Sequence, residues 1–219
     1  MKLSYAILVK DEIDYIKSLI DLLNKYKTDE DEIVILQDIG ESPSEKQIEV
    51  KKYLLDQLFN NRISYYSSTV FKNDFSEIKN KLNEKCKGDY IFNIDADEKP
   101  SELLLENLKS ILLNNPDIDL FMVPRVNTVK GLTPEHAKKW NWVLTETAEF
   151  GIIINYPDFQ GRIYKNTPSI KWVNKVHEVI FGSKAHTTFP YDTFDYVIFH
   201  HKDISRQEKQ NEQYSRMLK

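Results

Sequence analysis

An α/β fold, built on a mostly parallel sheet flanked by helices, is the class this 219-residue chain predicts. Short apolar runs, such as Leu3 to Val9 and Tyr90 to Asp95, read as buried strands. Amphipathic stretches with apolar residues at helical spacing lie between them, and this alternation implies parallel strands joined by crossover helices. Hydrophobic residues make up 41% and aromatics 12% of the chain, enough for a substantial core.

The elements follow in order. Leu3 to Val9 is the first strand, and Asp11 is positioned to cap a helix whose apolar stripe is Ile13, Ile16, Leu19, Ile20 and Leu23. Ile33 to Leu36 is the second strand. Ser44 to Phe59 repeats the helical pattern through Ile48, Tyr53, Leu54 and Leu58, and a short strand is expected at Ile63 to Tyr66. Asn73 to Cys86 reads as a helix capped by Asn73 or Asp74, with Gly88 just past its end. The Tyr90 strand follows, then a helix from about Ser101 to Leu113 and a strand at Leu120 to Val123. After Val126 the rhythm breaks, and short antiparallel strands and loops are expected over residues 127–160, covering one end of the sheet. Ser205 to Lys219 is polar and helix-competent, expected to pack loosely on the surface.

Composition excludes several classes. The 30 basic and 34 acidic residues are interspersed and give a net charge of -4, so no basic face for nucleic acid is expected. The single cysteine, Cys86, excludes an internal disulfide and a cysteine-based zinc site, and reads as a packing residue within its helix. The apolar run after Met1 is too short for a signal peptide and lacks a small-residue cleavage site. No segment approaches the length of a transmembrane helix, and a soluble, intracellular protein is the expectation. With 6 glycines there is neither a G-x-G-x-x-G nor a Walker loop, and no G-x-S-x-G elbow is present.

What remains is a set of carboxylates and histidines. Tyr90-Ile91-Phe92-Asn93-Ile94 ends in Asp95-Ala96-Asp97-Glu98, where open α/β sheets place their ligands. Asp95 and Asp97 are two apart and share one face of an extended backbone. Two hard oxygen donors can hold a divalent cation and leave positions open for phosphate oxygens; a solvated acidic turn is the competing reading. His200 and His201 follow the strand-like Val197-Ile198-Phe199, and alternation lets only one of them face the site, with His200 favoured.

Several segments, in order, resemble family-2-type glycosyltransferases of the GT-A fold. Val9-Lys10-Asp11-Glu12 resembles the family's "V-K-N-E", and residues 31–40 resemble "D-E-I-V-V-V-D-T-G" with one extra residue before Asp38. Residues 73–80 resemble "D-D-F-A-x-x-R-N", residues 88–98 "G-D-W-I-L-x-L-D-A-D-E", residues 161–166 "x-R-L-F-R-N", and residues 176–178 "V-H-E". The likeness covers most of residues 3–180, and the D-x-D-containing branch it resembles includes sugar transferases acting on lipopolysaccharide core and similar acceptors. Two departures stand out: Glu41-Ser42-Pro43-Ser44 replaces "S-T-D-G-T", and Lys79 stands where the family has Arg, giving a point charge in place of a fork.

The resemblance implies a GT-A-like, Rossmann-like sheet with an irregular antiparallel C-terminal part. Residues 1–126 would form the nucleotide-sugar-binding half, and residues 127–219 the acceptor-side half and C-terminal helix of the same domain. It implies inverting transfer of a sugar from a nucleotide-sugar, a UDP-sugar favoured, to a hydroxyl of a glycan, lipid-linked or protein acceptor. Glu12, Asp38, Lys79, Asp95 and Arg162 would line the donor site. Asp97, with Asp95 and His200, would hold Mn²⁺ or Mg²⁺. Charge develops on the diphosphate as the bond breaks, and a positive charge ~4 Å away contributes about 4 kcal/mol at an effective dielectric near 20, roughly a thousandfold in rate. Glu178 is the candidate base for the acceptor hydroxyl.

Two alternatives stay open: a non-catalytic sugar-nucleotide-binding protein, and a nucleotidyltransferase, for which the first strand's end lacks a basic phosphate loop. A cytoplasmic location is expected, with peripheral attachment at a membrane surface left open.

Overall fold

The computed structural model describes residues 1–217; residues 218 and 219, the expected end of the last helix, lie outside the described residues. The chain runs β1 (Leu3–Val9), α1 (Ile13–Tyr26), β2 (Glu32–Asp38), α2 (Glu45–Phe59), β3 (Tyr65–Thr69), α3 (Phe75–Asn83) and β4 (Tyr90–Asp95). It continues through β5 (Glu98–Pro100), α4 (Glu102–Asn114), β6 (Leu120–Lys130), α5 (Pro134–Trp140), β7 (Leu144–Thr147) and β8 (Gly151–Lys165). The remaining elements are β9 (Lys171–Val173), β10 (Val179–Phe181), β11 (His186–Thr188), β12 (Ile198–Asp203) and α6 (Ile204–Met217).

The main sheet has the order β3-β2-β1-β4-β8-β6-β12-β5. β1 to β4 pair in parallel, as the alternation with helices dictates. β8 then joins antiparallel to both β4 and β6, which makes the sheet mixed. β1 shows how the sheet is held. Leu3, Tyr5, Ile7 and Val9 face one way, against Ile16, Leu19, Ile20 and Leu23 of α1 and the buried leucines of α4. Ala6 faces the other way, against Ile78 and Leu82 of α3. Each such Leu or Ile contributes about 1.5–3 kcal/mol on full burial.

Helix starts follow their capping residues. Ser44 and Asp74 accept from the amides of Gln47 and Glu77, and Ser101 accepts from Leu104. Gly88 is dictated by close approach: a Cβ there would stand 2.7 Å from the backbone nitrogen of Ser4. Its amide donates to Ser4 Oγ at 2.8 Å, seating the turn before β4 against β1.

Several expectations are corrected. Asp11 does not cap α1; Glu12 occupies the cap position and its Oε2 accepts from the amides of Lys10 and Asp11 instead. α3 ends at Asn83, so Cys86 lies beyond it, buried, with its amide bonded to Asn83 O. Burial pushes its thiol up to about 12, which leaves it inert. Ile48 is 40% exposed, and α2 buries Val50 in its place beside the expected Leu54. β3 is shifted to Tyr65–Thr69, and Glu98–Pro100 forms an unforeseen edge strand antiparallel to β12.

The largest correction concerns residues 127–160. β8 is not a short covering strand but a 15-residue strand in the middle of the sheet. The sheet therefore continues unbroken past residue 126, which itself lies inside β6.

Candidate active site

The carboxyl ends of β1, β2 and β4 open onto one cleft of about 1120 Å³. Glu12, Asp38, Asp95, Asp97, Glu178 and His200 all line it. Lys79 and Arg162 border it as well, so the structure brings together every residue singled out above for the site.

Asp38, at the end of β2, is oriented by backbone. Its Oδ1 accepts from the amides of Gly40 (3.3 Å) and Phe71 (3.1 Å), and Lys10 Nζ stands 3.5 Å from Oδ2. Lys79 is 2% exposed, which rules out the solvated helix face that a lysine on α3 would ordinarily occupy. Its ammonium lies 2.9 Å from Glu178 Oε1, 3.4 Å from Asp95 Oδ1 and 4.4 Å from the centre of the Trp172 ring. Trp172 is thus both core and a π-face for a buried cation.

Asp95 and Asp97 separate by environment. Asp95 faces Lys79 and Arg162, the latter 3.0 Å from Oδ2. Burial would raise its carboxyl, but the charges of Lys79, Arg162 and Arg125 outweigh it and hold the group well below the usual carboxylate range. Asp97 Oδ2 is 3.4 Å from His200 Nε2 and 3.3 Å from Arg206. Here too burial raises the carboxyl, while the His200 hydrogen bond and the positive charges of Lys202 and Arg206 prevail and hold the group well below the usual carboxylate range. His200 Nδ1 in turn meets Asn127 Oδ1 at 2.9 Å, which orients the ring. His201 points away, exposed, to Thr128.

Glu98 is the residue whose part composition could not reveal. Although it stands beside two cleft aspartates, it is 2% exposed and faces inward. It bonds Arg162 at 2.5 Å and Arg125 at 3.0 Å, and its Oε2 accepts from the Asp95 amide at 3.1 Å. Arg125 continues to Asp158 at 2.8 Å. Glu98 is thus the bracket behind Asp95. Arg125, Asp158 and Arg206 were not anticipated; only their positions on the folded strands and on α6 bring them to the cleft.

Glu178 is presented by a loop with left-handed backbone at Asn174 (φ 73°) and His177 (φ 53°). Such conformations in non-glycine residues persist where the surrounding structure fixes them. Here Phe75 N donates to Lys175 O, and the His177 ring meets Tyr214 of α6 edge-on at 5.6 Å.

Among the described residues, no three His, Cys, Asp or Glu side chains converge as a metal cage. The donor set that does converge is one carboxylate and one imidazole, Asp97 Oδ2 and His200 Nε2. That pair fits a divalent cation completed by phosphate oxygens and water.

A mixed α/β sheet of this order, with acidic strand ends opening on one cleft, is an architecture of the GT-A type. The chain belongs to glycosyl transferase family 2, whose family model matches residues 4–172. No curated protein matches it. Among solved structures it is similar to residues 1–349 of S. aureus TarS, with a TM-score of 0.58 at 13% identity, covering 92% of this chain and 60% of that one. The same protein in complex with UDP-GlcNAc gives a TM-score of 0.59, and in complex with UDP 0.61, both at 13% identity. At this identity the likeness is one of fold. The chain spans about 60% of the TarS fragment's length. No helix among the described residues is long and apolar enough to cross a membrane.

Proposed function

We propose that this glycosyltransferase moves a sugar from a nucleotide-sugar, a UDP-sugar first among them, to a hydroxyl of a glycan or lipid-linked acceptor. The transfer inverts the anomeric centre, depends on a divalent cation and takes place in the cytoplasm. The carrying observation is the convergence of Glu12, Asp38, Asp95, Asp97, His200 and Glu178 around one cleft. The complexes of the similarly folded TarS with UDP and UDP-GlcNAc support a uridine donor.

Asp38 and Glu12, at the ends of β2 and β1, receive the nucleoside. Asp95 takes the ribose and is held in place by Arg162 and Lys79. Asp97 and His200 would hold the cation, which as a Lewis acid offsets charge on the departing diphosphate. Glu178, across the cleft, accepts the proton of the acceptor hydroxyl through a carboxylate oxygen as the new glycosidic bond forms. Lys79 fixes the orientation of Glu178 and carries positive charge beside Asp95 throughout.

The test is thermal shift with UDP-, GDP-, CMP- and dTDP-sugars, with and without Mn²⁺. A donor at about 100 times its dissociation constant adds ~2.7 kcal/mol of stability. A Mn²⁺-dependent shift with one nucleotide class is the expected result; no shift with any donor overturns the reading.

A further inference from the structure

The strongest unexplained contact in the cleft is made by Arg206, on the first turn of α6. Its Nη2 lies 2.7 Å from Glu12 Oε1 and 3.3 Å from Asp97 Oδ2, and its guanidinium packs 5.8 Å from the centre of the Tyr15 ring. The arginine therefore joins the carboxyl ends of β1 and β4 from an element that belongs to neither. It takes the same Asp97 oxygen that His200 approaches at 3.4 Å.

α6 has no buried residue, so little apolar packing fixes it in place. What docks it is polar and aromatic. Lys202 donates to Gln210 at 2.6 Å, and Tyr214 meets Phe75 and His177 edge-on at 5.9 and 5.6 Å. Gln207, Gln210 and Tyr214 form part of the cleft wall. The ion pairs of Arg206 are thus the contacts that tie the first turn of this wall to Glu12 and Asp97.

We infer that Arg206 is the resident counter-cation of Asp97 and Glu12, and that it must withdraw for a divalent cation to bind Asp97 and His200. Arg206 then sets the affinity for the cation, and loading the cation loosens the N-terminal turn of α6 from the cleft. The physical reason is competition for one oxygen. Two positive groups cannot share Asp97 Oδ2 at contact distance without repulsion, and a guanidinium side chain 38% exposed is far easier to move than the buried strand ends. This inference rests on the cation-dependent reading above.

The experiment uses the full chain, titrated with Mn²⁺ alone and followed by the electron-paramagnetic-resonance signal of free Mn²⁺. Hydrogen exchange of residues 204–210 is measured in parallel. Wild type is compared with Arg206→Met and Arg206→Lys, with circular dichroism confirming that each is folded. Arg206→Met is expected to bind Mn²⁺ about tenfold more tightly, equivalent to about 1.4 kcal/mol, while Arg206→Lys stays near wild type. In wild type, Mn²⁺ is expected to speed exchange in residues 204–210. In Arg206→Met the same amides exchange fast with or without the ion.

Equal Mn²⁺ affinity in wild type and Arg206→Met, with unchanged exchange, overturns the inference and leaves the cation reading standing. Absence of Mn²⁺ binding in all three proteins, both alone and with UDP present, overturns both. Binding by Arg206→Met alone supports the inference in its strongest form.

Discussion

Lys79 Nζ lies 2.9 Å from Glu178 Oε1 and 3.4 Å from Asp95 Oδ1, so one buried ammonium spans the cleft between the proposed base and the proposed donor ligand. Two carboxylates on opposite sides of the reaction are thereby tied to a single point charge on α3. The compact head of this lysine sits between two carboxylates and over the Trp172 ring.

Replacing Lys79 by Met leaves Asp95 and Glu178 facing each other without their shared cation. Removing one partner of a buried ion pair costs about 3–5 kcal/mol. The urea midpoint of Lys79→Met is expected to fall accordingly, with Arg less disruptive than Met. An unchanged midpoint would show that the ammonium is not the tie described.

Glu178→Gln keeps the shape of the loop and removes the proton acceptor. General-base catalysis contributes about 10²–10⁴ in rate, so kcat is expected to drop by that factor while donor affinity, read by thermal shift, stays constant. Turnover equal to wild type assigns the base elsewhere.

Asp97→Asn and His200→Ala each remove one half of the proposed cation pair. Both are expected to lose the Mn²⁺-dependent part of the donor shift. Asp97→Asn is the milder for folding, since the amide can still meet Arg206 or His200. Calorimetry with Mn²⁺ alone separates loss of cation from loss of donor.

Acid sensitivity is expected to arise outside the cleft as well as from the depressed carboxyls of Asp95 and Asp97 within it. Asp31, just before β2, and Glu32, its first residue, are buried, paired with Lys109 (2.8 Å) and Lys2 (2.6 Å). Burial raises both carboxyls, but the lysines and hydrogen bonds, from the Thr28 and Leu3 amides to Asp31 and from Ser4 to Glu32, prevail and lower them. Because the folded values are depressed, the stabilisation is complete above the unfolded values near pH 4 and is lost as pH falls through the folded ones. Melting temperature is therefore expected to decline below about pH 4, and Asp31→Asn to flatten that decline while lowering the plateau.

Much of this fold was legible because local signals agreed. The apolar runs of β1, β2 and β4, the caps at Asp74 and Ser101, and the acidic end of β4 each needed only near neighbours. β8 was hidden because its pattern is interrupted. Asn155 is left-handed (φ 53°), Pro157 cannot donate to a ladder, and the pairing with β6 shifts register between Arg125 and Asn127. Proline is accepted in a central strand at such a bulge, but no periodicity survives it. β5 was hidden by Lys99-Pro100, since an edge strand tolerates the proline that a sequence pattern reads as a stop. Within the site, Asp95 and Asp97 were readable and Glu98 was not, because facing inward or outward is decided by partners on β6 and β8.

The place of β8 also limits how this enzyme can be altered. β4, which carries the acidic motif, pairs on one side with β1 and on the other with β8. A fragment ending near residue 126 would present β4 as a bare edge, an invitation to pairing with other chains. Exchanging the chain beyond residue 126 would therefore break the β4–β8 ladder. Modularity resides one level lower, in the loops and in α6, which can be exchanged without opening the ladder.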